Sequence, residues 1–294
     1  MRQQFDTLWA LGPDAVHTVL QLMSRRLGLP DAEPTPTLAA YAGMKPAMHG
    51  RGGDKIAVIP VRGILTSDGP AYYGSSYSGI ADAVDKAAAD PDVKRIVLSV
   101  DSPGGEVVGL PETASVIARA ARVKPVSAII EGTAASAAYW LASQASDITL
   151  TPSGEVGSVG VRMMHVDMSK MLDDAGFKIT ELSAGDFKTE WSPYKPLSKA
   201  AQDDMQVRIL RTHTDFVNAV AAGRGRRASS SMVKSKYGGG RMFTGDEALK
   251  GGLVDRLQSP RSFMRGAIAG EPSPAANTGL SVFRARLEIA RMRA

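Results

Sequence analysis

The 294-residue sequence has no cysteine. That excludes disulfides, a thiol nucleophile and cysteine-bound metal, and it is compatible with a reducing compartment. No segment approaches the roughly 18 uninterrupted apolar residues of a membrane-spanning helix. The first 29 residues carry charges throughout and lack the apolar core of a secretory signal. Neither export nor a membrane span is therefore expected, and the expected location is the cytoplasm. Charge is modest as well: 22% of residues are charged and the net charge is +5, which can favour an acidic partner surface but gives no ground for a dedicated nucleic-acid binder. No internal repeat is evident, and none of the four histidines stands in a context that fits a catalytic triad. With 44% hydrophobic residues the chain can bury a sizeable core. One domain of about 200 residues with extensions fits better than two equal halves.

What is present centres on Gly132-Thr133-Ala134-Ala135-Ser136-Ala137-Ala138-Tyr139-Trp140, a serine among small residues where an apolar run turns helical. Residues 126–130 are β-branched and apolar and read as a buried strand, while residues 139–142 continue at helical spacing. A serine at that junction sits beside unpaired helix N–H groups, which suits a developing oxyanion, and its small neighbours leave room for a substrate backbone. Taken alone, the stretch favours a plain serine N-cap on an Ala-rich packed helix. Two further stretches reverse that weighting. Asp101-Ser102-Pro103-Gly104-Gly105 follows the apolar strand 95–100, and its adjacent glycines free the backbone to point N–H groups outward and bind an anion. Ser183-Ala184-Gly185-Asp186-Phe187-Lys188 follows the strand-like stretch 177–182 and brings a lysine where a serine peptidase without a usable histidine needs a base.

At these residues the chain resembles the signal peptide peptidase A family, Ser-Lys serine peptidases of the Clp protease and crotonase superfamily, and within it the phage head-maturation branch. The likeness covers residues 56–257. It runs through Ser102-Pro103-Gly104-Gly105, Ala135-Ser136-Ala137-Ala138-Tyr139, Gly157-Ser158-Val159-Gly160-Val161, Gly185-Asp186-Phe187-Lys188 and Gly252-Leu253-Val254-Asp255, in that order. The resemblance implies an α/β fold of repeated ββα units with a mainly parallel sheet. It implies Ser136 as nucleophile, Lys188 as general base, and the N–H groups of Gly104 or Gly105 and of Ala137 as an oxyanion hole. Ser158 takes a supporting role by hydrogen-bonding the lysine; read without the family it is a turn serine. No cofactor or metal is implied, the substrate is a polypeptide, and the expected assembly is a homo-oligomeric ring; in resembling single-domain enzymes a neighbouring protomer supplies the lysine, and whether Lys188 acts within its own chain or in a neighbour's site stays open. One departure is visible. The family commonly has glycines where Ala137 and Ala138 stand, and a positive φ there would strain alanine.

Three parts are expected along the chain: an N-terminal helical arm and linker over 1–54, the peptidase domain over 55–258, and a C-terminal linker with a short basic helix over 259–294. Phe5, Leu8, Leu11, Val16, Leu20 and Met23 recur at helical spacing in the first part, and residues 30–54 read as a tether. The strand 56–65 contains Pro60 and should lie at an edge or bend there. A helix ending at Asp90-Pro91, the strand 95–100, a helix over 108–122, the strand 126–130 and a helix over 136–145 give a βαβα order. That order calls for a parallel sheet with its functional turns at the strands' C-terminal ends. Residues 148–151 and 159–166 read as further strands separated by a turn at 154–160, with His165 a half-buried or surface imidazole outside the dyad. A helix over 197–222 has a broad apolar face for core or subunit contact. The basic run Arg224, Arg226, Arg227, Lys234, Lys236 and Arg241 reads as a solvated flexible loop, 266–279 as a linker, and 281–294 as a basic amphipathic tail that could dock on a partner.

A free lysine, with a pKa of about 10.4, is nearly all charged at neutral pH, and holding one neutral near pH 7.5 costs about 4 kcal/mol, within what desolvation supplies. Lys188 must then be buried when it acts. Asp186 and Glu190 beside it mark a surface segment in a lone subunit, and a lysine shared across a ring resolves that conflict. The expected protein is a soluble Ser-Lys endopeptidase that processes phage or prophage capsid or scaffold proteins, in the host cytoplasm or the assembling virion. A cytoplasmic peptidase degrading signal or membrane-derived peptides is an alternative, and a catalytically silent oligomeric capsid-assembly scaffold is one of another class. A crotonase-like acyl-CoA enzyme ranks last, since it needs neither Ser136 nor Lys188.

Overall fold

Val- and Ile-rich strands followed by amphipathic helices build the centre of the protein. The computed structural model describes residues 9–11, 45–51, 54–68 and 74–271. In chain order the elements are β1 (Trp9–Leu11), β2 (Ala47–Arg51), β3 (Asp54–Leu65), α1 (Tyr77–Ala89), β4 (Val93–Glu106), α2 (Leu110–Val123), β5 (Val126–Ala135), α3 (Ala137–Ser143), β6 (Asp147–Leu150) and β7 (Glu155–Gly157). They continue with α4 (Ser169–Asp174), α5 (Lys199–Arg224), β8 (Met242–Thr244), α6 (Gly245–Lys250), β9 (Arg256–Leu257) and α7 (Pro260–Ile268). The main strand order is β2-β3-β4-β5-β6-β9, with β1 added to β4, and β7 added to β5 and carrying β8. Pairings from β3 through β9 are parallel, whereas β1 on β4, β2 on β3 and β8 on β7 are antiparallel. This is the mainly parallel α/β sheet that the alternation of strand and helix signals calls for. The long strands β3 and β4 continue past register shifts at Arg62/Ile64 and Val100/Ser102, so each carries on as a second segment beyond its bend.

Both sheet faces are covered, as parallel sheets require. On one face Ile59, Val61, Leu98 and Ile130 pack with Val84, Ile117, Tyr139 and Phe216 of the helices. Trp140 of α3 stacks on Phe216 of α5 with ring centroids 4.7 Å apart. On the other face Ile56, Val97 and Ile129 lie under Phe263 and Ala267 of α7. The serines before α1, α5 and α7 cap these helices in the ordinary way, each side chain accepting a backbone N–H three residues on.

Several expectations are corrected by tertiary pairing. Trp9–Leu11 is a strand on β4 rather than part of a helix, because an open sheet edge outweighs a weak helical period. The end of the expected tether, Ala47–Arg51, is likewise a strand on β3. β3 is an inner strand, yet Pro60 lies past the last residue that β2 pairs, Val58, so its missing N–H breaks no pairing on that side. The expected turn at 154–160 contains β7, and residues 159–166 form no strand. Residues 177–182 form none either: their apolar side chains, Phe177, Ile179 and Leu182, are exposed. The basic run is partly structural, with Arg224 wholly buried. Residues 266–268, expected in a linker, end α7. The expected tail at 281–294 and most of the expected N-terminal arm lie outside the described residues.

Candidate active site

Three neighbouring strand ends bring the sequence motifs together. β4 and β5 stay paired until Ser102 meets Ala134, two residues before Ser136. β5 in turn pairs with β7 until Ala135 meets Gly157, one residue before Ser158. The glycine turn, Ser136 and Ser158 therefore share the C-terminal side of the sheet, where α/β folds place their chemistry.

Ser102 shapes the glycine turn from inside. Its Oγ donates to the Gly63 carbonyl at 2.7 Å and accepts the Gly104 N–H at 3.1 Å. Gly104 adopts φ +104°, and a Cβ on Gly105 would lie 1.9 Å from the Leu65 carbonyl oxygen. Neither position takes a side chain without moving backbone.

Ser136 differs from the other serines that precede helices. Its φ of 53° and ψ of −117° leave its side chain making no cap to α3, and the Oγ instead donates to the Gly160 carbonyl at 3.3 Å. The Ser136 N–H donates to the Gly157 carbonyl at 2.8 Å, which holds the residue in this conformation. Among the described residues the non-glycine positions with positive φ are Ser136 and Ser158, both of them predicted site residues. Such strain persists only where surrounding structure enforces it, and it collects at functional sites. Ser158 is buried at φ 52°, with its N–H held by the Arg241 carbonyl at 2.7 Å. Ala137 and Ala138 have ordinary φ and are fully packed, so the family's glycines are not needed there and the strain falls on Ser136 itself.

A second set of residues, whose role was not read from the sequence, fixes α3 from below. The Tyr139 hydroxyl donates to the Leu253 carbonyl at 2.8 Å, and burial pushes its phenol well up, so it stays a donor. Asp255 accepts from the Ile148 N–H at 2.7 Å and from Arg224 Nη2 at 2.8 Å, and it pairs with Arg227. The Gly252-Leu253-Val254-Asp255 motif thus ties the serine helix to the sheet and to α5. Beneath the strand ends Arg62 pairs with Glu131 at 2.8 Å and contacts Ser99, and Asp101 accepts the Thr133 N–H at 3.0 Å. Arg62 and Glu131 looked like ordinary polar residues in sequence and Arg224 like the start of a solvated basic run; Asp101 and Asp255 lay within the quoted motifs, though their bonding partners were not legible there.

Lys188 stands apart. Its segment is exposed, its N–H closes a turn on the Gly185 carbonyl at 3.1 Å, and the single chain brings no partner to its ammonium among the described residues. The same segment exposes Leu182 at 94% and Phe187 at 74%. His165, half-buried, lies with Nε2 3.1 Å from the Ser192 carbonyl and its ring edge-on to Trp191. Among the described residues no cluster of His, Cys, Asp or Glu is placed to hold a metal ion, and no helix is long and apolar enough to cross a membrane.

The chain belongs to peptidase family S49, whose model matches residues 118–267, from the end of α2 through α7. It is 36% identical over 206 residues to capsid assembly protease C of Escherichia phage lambda, covering 69% of this chain and 46% of that protein. It is 33% identical over 219 residues to head-tail preconnector protein GP5 of Enterobacteria phage P21, covering 73% of this chain and 43% of that one. The chain thus spans less than half the length of these two relatives. Among solved structures it is similar to the 1510-N membrane-bound stomatin-specific protease, with a TM-score of 0.47 and 15% identity over 71% of this chain and 82% of the other.

Proposed function

We propose that the protein is a Ser-Lys endopeptidase acting through an acyl-enzyme. The observation that carries this reading is Ser136, a strained serine at a strand-to-helix junction whose hydroxyl is withheld from capping, within a peptidase family match. In the reaction, Lys188 as a neutral amine takes the hydroxyl proton while Oγ attacks the peptide carbonyl carbon. The developing oxyanion is met by the N–H groups of Ala137 and of the Gly104-Gly105 turn, where Gly105 is favoured because the Gly104 N–H already donates to Ser102. Collapse breaks the C–N bond and returns the proton to the leaving amine. Water, activated by the same lysine, then hydrolyses the ester and frees Ser136. Ser158 steadies the lysine from its own strained turn.

Lys188 is exposed in one chain, and it sits among exposed apolar side chains that a second subunit would cover. A homo-oligomeric ring in which Lys188 enters a neighbour's site meets both needs: it buries the apolar segment and dehydrates the amine. The names of the phage relatives favour capsid-associated proteins as substrates, in the host cytoplasm or the assembling virion.

The test is active-site labelling. A fluorophosphonate probe should label the wild-type protein and not Ser136→Ala, while Ser102→Ala and Ser158→Ala keep partial labelling. Wild-type protein and not Ser136→Ala should also shorten one of the head proteins of its own phage when the two are incubated, as read by mass spectrometry. Labelling that persists in Ser136→Ala removes the assignment.

A further inference from the structure

The glycine turn has a free flank, and the chain itself fills it. On one side of β4, β3 stays paired through Ile64 with Gly104 and Leu65 with Gly105. On the other side β5 leaves after Ser102 meets Ala134 and turns away to Ser136. The flank of Gly104–Glu106 facing the serine would thus be an open edge, and an open strand edge is a ready template for an extended segment. That place is taken by β1: Trp9 pairs with Glu106, Ala10 with Gly105 and Leu11 with Gly104, antiparallel. The strand points along the flank towards the Ser102 and Ala134 pair. Ser136 meanwhile is fully buried in this chain.

We infer that β1 is an autoinhibitory strand: in the resting chain it occupies the Gly104–Glu106 edge, along which an extended polypeptide would otherwise pair antiparallel through main-chain hydrogen bonds. This rests on the peptidase reading in one respect: the segment that displaces β1 is then the polypeptide to be cut. Three residues of pairing make a weak closure. A sheet addition as short as three residues is marginal in water, so the strand competes with substrate without locking the site. Because pairing is through the main chain, the site accepts varied sequences, and selectivity falls to whatever lies beside the alternating side chains. The resting state is thereby self-limiting: a site held by its own chain opens only to a segment presented at sufficient local concentration, as on a capsid or scaffold surface.

Ala10→Pro with Leu11→Pro tests this, since adjacent residues point their N–H groups to opposite sides and one of the two must face β4. In the inactive Ser136→Ala protein, hydrogen exchange read by mass spectrometry should show slow exchange over Gly105–Glu106, the Gly104 N–H being held by Ser102 in either state. The double proline substitution should make it fast, and a synthetic peptide of residues 5–15 added in trans should slow it again. In the protein that keeps Ser136, the same substitution should raise kcat/KM on fluorescein-labelled casein roughly tenfold with kcat unchanged, as for a site open in about one molecule in ten. Exchange over Gly105–Glu106 that ignores the substitution or the added peptide overturns the inference, as does equal casein cleavage by the two proteins when fluorophosphonate still labels Ser136. If the exchange results hold while no variant cuts casein or takes the label, the peptide-binding edge stands and the peptidase reading falls.

Discussion

Ser136 and Lys188 occupy opposite physical settings in one chain. The serine lies at the end of three paired strands, unexposed, with its backbone bent into a conformation that few residues tolerate and held there by the Gly157 carbonyl. The lysine lies in a turn without regular structure, among exposed apolar side chains. One half of the proposed dyad is built by the subunit's own core. The other half is presented outward, in an exposed segment that the proposed ring would cover. A nucleophile held by its own core is positioned rigidly, whereas a lysine base must be both dried and brought within hydrogen-bonding reach of the hydroxyl, and in the proposed ring a partner subunit does both.

The strongest way to break this contrast is complementation. Ser136→Ala and Lys188→Ala should each lower casein cleavage by about 10⁴-fold or more. Lys188→Arg should fail as well, because a guanidinium stays charged and cannot accept the proton. Mixing the two alanine variants, with subunit exchange shown by mass spectrometry of tagged chains, should restore activity, since some sites then pair an intact Ser136 with an intact Lys188. A silent mixture with exchange demonstrated would place both groups in one chain.

A second comparison is stability. Asp255→Ala should destabilise the fold by about 4 kcal/mol in urea unfolding, because it leaves Arg224 buried and unpaired, with side-chain exposures of 0% and 8% for the pair. Lys188→Ala should shift the same midpoint by less than about 0.5 kcal/mol in the isolated subunit. Equal losses would mean that the lysine segment is as much part of the core as the serine helix.

The smallest effect is the most specific. Ser136→Gly should stabilise the protein by about 1 kcal/mol, since glycine accepts positive φ without the steric cost carried by serine. Ser136→Ala keeps the Cβ and should not gain this. A neutral or destabilising Ser136→Gly would show that the backbone at 136 stores no strain.

Much of this was legible from local pattern. The runs at 95–100 and 126–130, each followed by small residues and a helical period, gave the parallel α/β order and put the glycine turn and Ser136 at strand ends. Those signals are local, because a buried parallel strand must be apolar over its length and a helix must repeat near every fourth residue. The reading failed where pairing partners decide. Residues 177–182 are strand-like in composition but find no edge to join, while Glu155–Gly157, read as part of a turn, becomes a strand because β5 and β8 flank it. Arg224 looked like the start of a solvated basic run, and its burial follows from Asp255, far along the chain.

By itself, then, the sequence determined the residue types at the site, the order of the elements and the sheet's parallel sense, because these follow from hydrophobic period and turn chemistry. Only the tertiary structure decided that Ser136 carries the strain in place of Ala137 and Ala138, that Asp255 and Tyr139 brace its helix, and that Trp9–Leu11 lies along the glycine turn. Each of those depends on groups distant in sequence meeting at one place. Which carbonyl is near enough to hold an N–H, and which strand edge is left open, are set by the packed fold and not by any local run of residues.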